Sequence, residues 1–219
     1  AVAGAHGKTT TSAMGATVLA HAGLDPSWAI GGTVLARPGD EVGSGGAAVG
    51  GARAGAGQGM GIEADESDGS FLAYRPEIAV VTNVEPDHLD HYGSREAFEE
   101  AFASFATQVT GTLVVCTDDP GGARLATSAR AAGVRVLGYG ASPGGDGDPQ
   151  VLVGSWSPSA RGGSTTVTWP GEAPTPVTLA VPGEHNALNA AAAYSVARLL
   201  GVPAAAAAAG LGAFAGTGR

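Results

Sequence analysis

The stretch Gly4-Ala5-His6-Gly7-Lys8-Thr9-Thr10 decides the fold of this chain of 219 residues. It fits the spacing G-x-x-G-K-T, which is two residues shorter between its glycines than the commoner phosphate-binding loop. Val2-Ala3 before it has the character of a strand end, and residues 10–22 after it are mostly small and apolar, as in a helix. A glycine-rich loop between a strand and a helix turns backbone N–H groups and the positive end of the helix toward an anion. The stretch therefore predicts a strand, an anion-binding loop and a helix.

Composition sets Lys8 apart from the other basic residues. The formal net charge is -9, and Lys8 is the only lysine among 11 basic residues. Arginine supplies every other basic charge, so a single lysine inside a glycine-rich loop suggests a specific task. An ammonium group suits the terminal phosphates of a nucleotide, and the hydroxyl group of Thr9 suits Mg²⁺. The acidic balance argues against a nucleic-acid partner, because a phosphate backbone would mostly be repelled.

The apolar pattern argues against insertion into a membrane. No apolar run approaches the roughly 18 residues of a membrane span. The opening stretch lacks the basic lead of a signal peptide, so we expect a cytoplasmic protein. The one cysteine, Cys116, lies in an apolar run and is expected to be a buried strand thiol.

Both ends of the chain resemble those of an internal piece of a longer protein. Ala1-Val2-Ala3 resembles a strand already under way, and no closing element is expected before Arg219.

Strand and helix signals alternate along most of the chain. This alternation is typical of a doubly wound, mainly parallel sheet, so the predicted fold class is α/β. Phe98, Phe102 and Phe105 recur at helical spacing and are expected in the core. After the strand at Val2-Ala3, the predicted strands before residue 150 are 62–64, 78–84, 112–117 and 134–139. The predicted helices of the chain are 10–22, one that begins at Ser94, 122–132 and 186–200.

The pattern changes near residue 150. Three strand-like runs, 150–157, 164–169 and 176–181, are separated by turns without helices between them. We predict a small antiparallel sheet over about residues 150–182, appended to the main sheet within a single domain that spans residues 1–219. Residues 39–61 are rich in glycine with little periodicity, and we interpret them as a surface excursion.

A second motif follows the short strand at 62–64. Glu63-Ala64-Asp65-Glu66-Ser67-Asp68 places four acids within six residues, at a strand end where open α/β sheets place ligand groups. Clustered carboxylates repel one another unless a cation lies among them, and Mg²⁺ takes one or two carboxylate oxygens with water and phosphate. A solvated acidic turn is the alternative for most of these acids. Only one of them need bind a metal.

Two further motifs carry polar groups. Asn83-Val84-Glu85-Pro86-Asp87-His88-Leu89-Asp90-His91 follows a buried strand, so its polar groups should emerge at the same sheet edge. His88 between two aspartates is a candidate to bind a metal or to orient a substrate carboxylate, and an ordinary structural histidine is the alternative. His185-Asn186-Ala187-Leu188-Asn189 places two amides on one face of a first helical turn. They either cap the helix or bind a ligand with donors and acceptors, such as a purine.

These four motifs, in this order, resemble those of the Mur ligase family. The loop carries Ala5 where threonine is more usual, and the resemblance continues through 64–72, 82–93 and 182–189. It spans nearly the whole chain and is weakest at 39–61 and 142–175. Ser67 favours the branch that joins L-alanine to UDP-N-acetylmuramate. Several sister ligases use a carbamylated lysine near the metals, and this sequence offers no lysine beyond Lys8.

The resemblance implies an ATP-dependent ligase that forms an amide bond in peptidoglycan precursor synthesis, with this chain as the P-loop NTPase-like central domain. In the family reaction the substrate carboxylate takes the γ-phosphoryl group, and the alanine amine attacks the acyl phosphate with loss of phosphate. The implied cofactors are ATP and Mg²⁺. By this resemblance Lys8 contacts the β and γ phosphates, and Asn186 and Asn189 contact the nucleotide. Thr9 and Glu66 bind one Mg²⁺, and Glu66 and His88 bind a second. Ser67, Asp68 and His88 contact the substrate.

The resemblance also implies partners that the sequence does not contain. The amino-terminal domain of the family holds the uridine diphosphate group, and its carboxy-terminal domain holds the amino acid. Neither lies within residues 1–219, so the isolated chain is expected to have little or no ligase activity. Two alternatives stay open: another Mur-type or folate-type amino-acid ligase, and a nucleotide-binding regulatory module without ligase chemistry.

Overall fold

A computed structural model of the chain describes residues 1–36, 51–87, 89–142 and 149–218. The chain divides into two compact units. Unit 1 contains Ala1–Lys8 and Ala64–Leu152, and unit 2 contains Thr9–Glu63 and Val153–Arg219. That residues 1–219 act as a single domain stays a prediction.

Unit 1 is built on five parallel strands, which follow one another in the sheet in the order β1 (Val2–Ala3), β6 (Ile78–Val81), β7 (Thr112–Cys116), β8 (Arg135–Gly140) and β9 (Val151–Val153). The central strand β7 is buried at every residue, as its continuous apolar run predicts for a strand covered on both faces. Its last residue, Cys116, is 4% exposed, which confirms the predicted buried thiol.

Aromatic side chains form much of the core of unit 1. Phe98, Phe102 and Phe105 are fully buried, which confirms the prediction from their spacing. The Ser94 hydroxyl accepts a hydrogen bond from Ala97 N at 3.1 Å and so caps the helix that carries them. The helices of this unit are a 3-10 turn (Ser70–Ala73), α2 (Leu89–Tyr92), α3 (Arg95–Thr107) and α4 (Pro120–Ala131), and α1 (Lys8–His21) begins at its edge.

Unit 2 contains the predicted small antiparallel sheet. Its strand β11 (Gly162–Thr168) pairs with β10 (Ser157–Ser159) on one side and β12 (Thr175–Leu179) on the other, both antiparallel. Together with the parallel strands of unit 1, this sheet confirms the predicted α/β class with a mainly parallel sheet. The elements of unit 2 are α1, β2 (Ser27–Ala29), β3 (Thr33–Ala36), β4 (Ala52–Arg53), β5 (Met60–Ile62), β10 (Ser157–Ser159), β11 (Gly162–Thr168), β12 (Thr175–Leu179), α5 (His185–Leu199), α6 (Ala204–Ala213) and β13 (Phe214–Gly218).

The strand predicted over 150–157 differs from the structure. It is two strands, of which Val151–Val153 pairs in parallel with β8 and Ser157–Ser159 pairs antiparallel with β11. Gly154 separates them, and its N–H donates to Thr166 O at 2.8 Å. An apolar run shows only that a strand forms, because the direction of pairing depends on the partner strand.

The interpretation of residues 39–61 as a surface excursion agrees with the exposure of most of residues 51–61, but part of this stretch forms strands. Residues 39–50 lie outside the described residues, but β4 and β5 within 51–61 flank β2 in a three-stranded sheet. A Cβ atom at Gly55 would lie 2.1 Å from Asp25 O, so this glycine permits the close approach of the two backbones. The expectation that no element closes the chain is wrong, because β13 pairs antiparallel with β3. None of the described helices is long and apolar enough to cross a membrane.

Candidate functional site

The loop between β1 and α1 has the backbone that its glycines predict. Gly4 has a φ of 128°, and a Cβ atom there would lie 2.2 Å from Thr82 Oγ1. The Thr82 hydroxyl donates to His6 O at 2.6 Å, and the side chain of Asn83 also bonds to the His6 backbone. The His6 side chain is 70% exposed and lies 3.7 Å from Glu85. The backbone of the loop is therefore fixed by the residues that follow β6.

Lys8 is held inside this loop by a buried ion pair with Glu66. Its Nζ donates to Gly4 O at 2.8 Å and to Glu66 Oε1 at 2.9 Å. Nζ also lies 2.9 Å from Oε2, but Oε2 has no directed hydrogen bond from any described residue. The lysine side chain is 14% exposed and the glutamate side chain 0%. The ammonium group keeps one N–H for a ligand, since two of its three are used.

The acidic segment contains two different environments. Glu66 is fully buried, so it is not part of a solvated turn. Asp65 and Asp68 are exposed, and their carboxylates accept from the backbone N–H groups of Ser67 and Ser70 at 3.0 and 2.9 Å. The pKa of Asp68 is lowered, chiefly by hydrogen bonds from the side chain and the backbone of Ser70. Asp65 and Asp68 therefore have the geometry of an acidic turn.

In unit 2 the carboxylate of Glu63 lies beside the hydroxyl group of Thr9. Thr9 Oγ1 donates to Glu63 Oε1 at 2.8 Å, and Gly31 N donates to Oε2 at 2.7 Å. A hydroxyl group that gives its proton to a carboxylate keeps its lone pairs free for a cation. One hydroxyl and one carboxylate suit Mg²⁺, which fills the rest of its shell with phosphate and water. The sequence predicts Glu63 inside a strand over 62–64, whereas β5 ends at Ile62, so Glu63 is the first of the four acids after the strand.

His88 lies outside the described residues, so its predicted roles stay predictions. The described residues around it contain α2, whose last residue is Tyr92. The Tyr92 hydroxyl donates to the backbone carbonyl of Glu66. Among the described residues no group of three or more histidine, cysteine or acidic side chains is arranged to hold a metal ion.

The two asparagines at the start of α5 form a continuous series of hydrogen bonds. Thr11 Oγ1 donates to Asn189 Oδ1 at 3.2 Å, Asn189 Nδ2 to Asn186 Oδ1 at 3.1 Å, and Asn186 Nδ2 to Pro182 O at 2.7 Å. Both amides are buried, at 7% and 8% exposure. Neither asparagine is the cap of α5, because Glu184 occupies that position. Each amide nitrogen keeps one N–H beyond this series.

Comparison with known proteins identifies a family for this arrangement. The pattern of the Mur ligase middle domain matches residues 60–197. The chain is 52% identical over its whole length to the UDP-N-acetylmuramate–L-alanine ligase of Kineococcus radiotolerans, and 46% identical to that of Mycolicibacterium smegmatis. It spans 43% of the length of these two relatives.

Solved structures agree with this family. The UDP-N-acetylmuramate-alanine ligase MurC of Thermotoga maritima superimposes with a TM-score of 0.79 at 28% identity, over 99% of this chain and 44% of that one. The UDP-N-acetylmuramate:L-alanyl-gamma-D-glutamyl-meso-diaminopimelate ligase of Neisseria meningitides gives 0.77 at 29% identity, over 100% of this chain and 66% of that one. These comparisons confirm the resemblance that the four motifs carry.

Proposed function

Because the chain belongs to the Mur ligase family and matches its middle domain, we propose that the loop Gly4–Thr10 binds the phosphates of ATP. The observation that carries this proposal is the position of Lys8, the only lysine. It is the first residue of α1, and its ammonium group is fixed by Gly4 O and Glu66 with one N–H left over. The positive end of the helix and the loop N–H groups favour the same anion.

We further propose that Thr9 and Glu63 contribute to an Mg²⁺ site. Support comes from the contact between the Thr9 hydroxyl and the Glu63 carboxylate, which directs the hydroxyl lone pairs away from Glu63. Bound magnesium would neutralise charge on the phosphates. Glu66 and His88 remain proposed ligands through the family resemblance, and Glu66 has the additional task of holding Lys8.

We propose that Asn186 and Asn189 contact the nucleotide base. Their support is the buried series of amides, in which each Nδ2 keeps one N–H and each Oδ1 keeps a lone pair. A purine edge offers both donors and acceptors to such a pair. Fixing both amides before binding lowers the entropy lost on binding.

The reaction of the longer protein is also a proposal. Relatives that are about half identical to this chain are UDP-N-acetylmuramate–L-alanine ligases, and we propose that the protein containing this chain joins the same two substrates with ATP in the cytoplasm. The share of this chain would be positioning and charge neutralisation. Ser67 and Asp68, at the exposed end of the acidic segment, are proposed to face the substrate. The isolated chain would bind ATP without joining substrates, because the domains that hold them lie outside it.

Calorimetric titration with ATP and Mg²⁺ tests the binding proposal. We expect Lys8→Met to weaken binding strongly, and Arg161→Met to leave it unchanged. Arg161 is an exposed arginine without an ion pair among the described residues, so its loss makes the same charge change. Lys8→Met leaves the buried carboxylate of Glu66 without its cation, which destabilises the protein. Lys8→Met combined with Glu66→Gln removes that charge and is expected to fold more readily. The proposal would be refuted if both variants that lack Lys8 bound ATP as tightly as the parent.

Phosphate release tests the reaction. The chain joined to the flanking domains of the Kineococcus relative is expected to release phosphate from ATP only with both L-alanine and UDP-N-acetylmuramate present. The chain alone is expected to release none. ATP hydrolysis without dependence on alanine would favour a regulatory module instead.

A further inference from the structure

Tyr92 is connected to the loop lysine through one intermediate residue. Its hydroxyl group donates to the backbone carbonyl of Glu66, and the carboxylate of the same Glu66 accepts from Lys8 Nζ at 2.9 Å. All three residues belong to unit 1. The hydroxyl therefore acts on the backbone of the residue whose side chain holds the lysine.

The ring of Tyr92 is fixed from two sides. It meets Phe98 edge-on with ring centroids 5.1 Å apart, and it meets His91 edge-on at 4.8 Å. Phe98 is fully buried in the core of unit 1. A phenol hydroxyl group is protonated at neutral pH, so it remains a donor.

Glu66 depends on its backbone for its position. Its side chain is fully buried, and among the described residues the single directed hydrogen bond to its carboxylate comes from Lys8. A buried ion pair offsets the cost of desolvation only when its geometry is good. A small shift of the Glu66 backbone would therefore move the lysine or weaken its bond.

We propose that Tyr92 is a positioning residue for the phosphate-binding lysine. The Tyr92 hydroxyl fixes the backbone of Glu66, and the carboxylate of Glu66 fixes Lys8 inside the loop. The effect on ATP rests on the proposed function, whereas the effect on Lys8 itself does not.

The single lysine allows a direct test. Protein grown with lysine labelled with ¹³C and ¹⁵N has one lysine side chain to observe by NMR, so Lys8 is followed without any ligand. Tyr92→Phe removes the hydroxyl group and keeps the ring. Tyr74→Phe is the matched control, because Tyr74 packs on the same core and its hydroxyl has no hydrogen bond to Glu66. Glu66→Gln gives the signals of a lysine that has lost its ion pair.

We expect Tyr92→Phe to move the Lys8 Cε and Nζ resonances toward those of Glu66→Gln, and Tyr74→Phe to leave them in place. Binding of Mg-ATP should weaken about fivefold in Tyr92→Phe, the loss typical of one hydrogen bond. Incorporation of 4-aminophenylalanine at position 92, which keeps a donor, should restore the parent resonances, and it serves as the test variant if Tyr92→Phe does not fold.

Lys8 resonances that are the same in Tyr92→Phe and the parent, while Glu66→Gln moves them, would overturn the inference. A parent that does not bind ATP, with Lys8 resonances that still respond to Tyr92→Phe, would sink the proposed ATP site and support the positioning of Lys8 by Tyr92.

Discussion

The side-chain amide of Asn83 bonds to both polar groups of the His6 backbone. Oδ1 accepts from His6 N at 3.1 Å, and Nδ2 donates to His6 O at 3.0 Å. One side chain thus makes the pair of bonds that a neighbouring strand would otherwise make. Thr82 adds a second donor to the same carbonyl. The middle of the loop is fixed although the His6 side chain is largely exposed.

Asn83→Ala removes both bonds, each of which contributes about 1 kcal/mol. Because the loss of these bonds destabilises the unbound protein as well as the complex, only part of it lowers the affinity, and we expect ATP binding to weaken about tenfold. Asn83→Asp keeps the acceptor but loses the donor and adds a charge beside the loop, so it should bind more weakly still. Calorimetric titration measures both. Gln108→Ala, which removes an amide from the end of α3, is the control. ATP affinity that is unchanged in Asn83→Ala would show that the loop does not need this clamp.

A double-mutant cycle tests the ion pair between Lys8 and Glu66. Lys8→Met leaves a fully buried carboxylate without its cation, and we expect it to lower the free energy of unfolding by about 3–5 kcal/mol. Glu66→Gln should cost less, because the amide that remains carries no charge. The combined variant should recover most of the loss. Urea unfolding measures all three, and losses that simply add in the combined variant would contradict a coupled buried pair.

The sequence predicted those parts of the molecule that depend on local chemistry. The loop, its lysine, the cap at Ser94 and the core phenylalanines each follow from a residue type at a fixed spacing, and the structure contains them. The parts it did not predict depend on partners distant in sequence. Val151–Val153 has an apolar run like any strand, and only its neighbour β8 determines that it is parallel.

The acidic segment shows the same limit inside the candidate site. Four acids within six residues predicted a cation site, but their spacing does not say which carboxylate lies next to which cation. The structure pairs Glu66 with Lys8 and places Glu63 beside Thr9. Both contacts join residues more than fifty positions apart. Which carboxylate lies next to which residue depends on the register of the strands and not on the composition of the segment.

Variants of Glu63 and Glu66 distinguish a ligand of Mg²⁺ from a residue that holds Lys8 in place. Glu63→Gln is expected to raise the Mg²⁺ concentration needed for half-maximal ATP binding by about tenfold, in line with the loss of one carboxylate oxygen ligand or its support. ATP binding without Mg²⁺ should change little. Glu66→Gln should weaken ATP binding both with and without Mg²⁺, because it acts through Lys8. Asp65→Asn, in the exposed turn, is the control. An unchanged Mg²⁺ requirement in Glu63→Gln would remove Glu63 from the proposed site.

The pair between Glu172 and Arg198 should stabilise the protein in a pH-dependent way. Arg198 donates to both carboxylate oxygens, at 2.6 and 2.8 Å, and these bonds are the main cause of the lowered pKa of Glu172. A lowered pKa in the folded state stabilises above the ordinary value of 4.5, and this contribution is lost as the pH falls through the lowered value. Glu172→Gln should therefore lower the midpoint of thermal unfolding at pH 7, and this effect should shrink as the pH falls below 4.5 and through the lowered pKa of Glu172. Glu100→Gln, at an exposed acid, is the control, and an effect of Glu172→Gln that is independent of pH would contradict this account.

Cys116 provides a probe for the opening of unit 1. Burial is the largest cause of its pKa of about 11, against an ordinary value of 9.0. Because the folded state favours the protonated thiol, this contribution to stability is complete below about pH 9 and is lost as the pH rises through about 11. The thiol of the native protein should react with Ellman's reagent only when unit 1 opens, and guanidinium should make the reaction fast.

If ATP binds the closed form alone, Mg-ATP at 100 times its Kd should slow this reaction about 100-fold, which corresponds to about 2.7 kcal/mol. The variant Lys8→Met combined with Glu66→Gln, which is expected not to bind ATP, should lose that protection and keep the slow reaction of the ligand-free protein. Native protein that reacts as fast as free cysteine would show that Cys116 is accessible without opening. Protection by Mg-ATP that persists in the double variant would show that the nucleotide stabilises unit 1 from a site other than the loop.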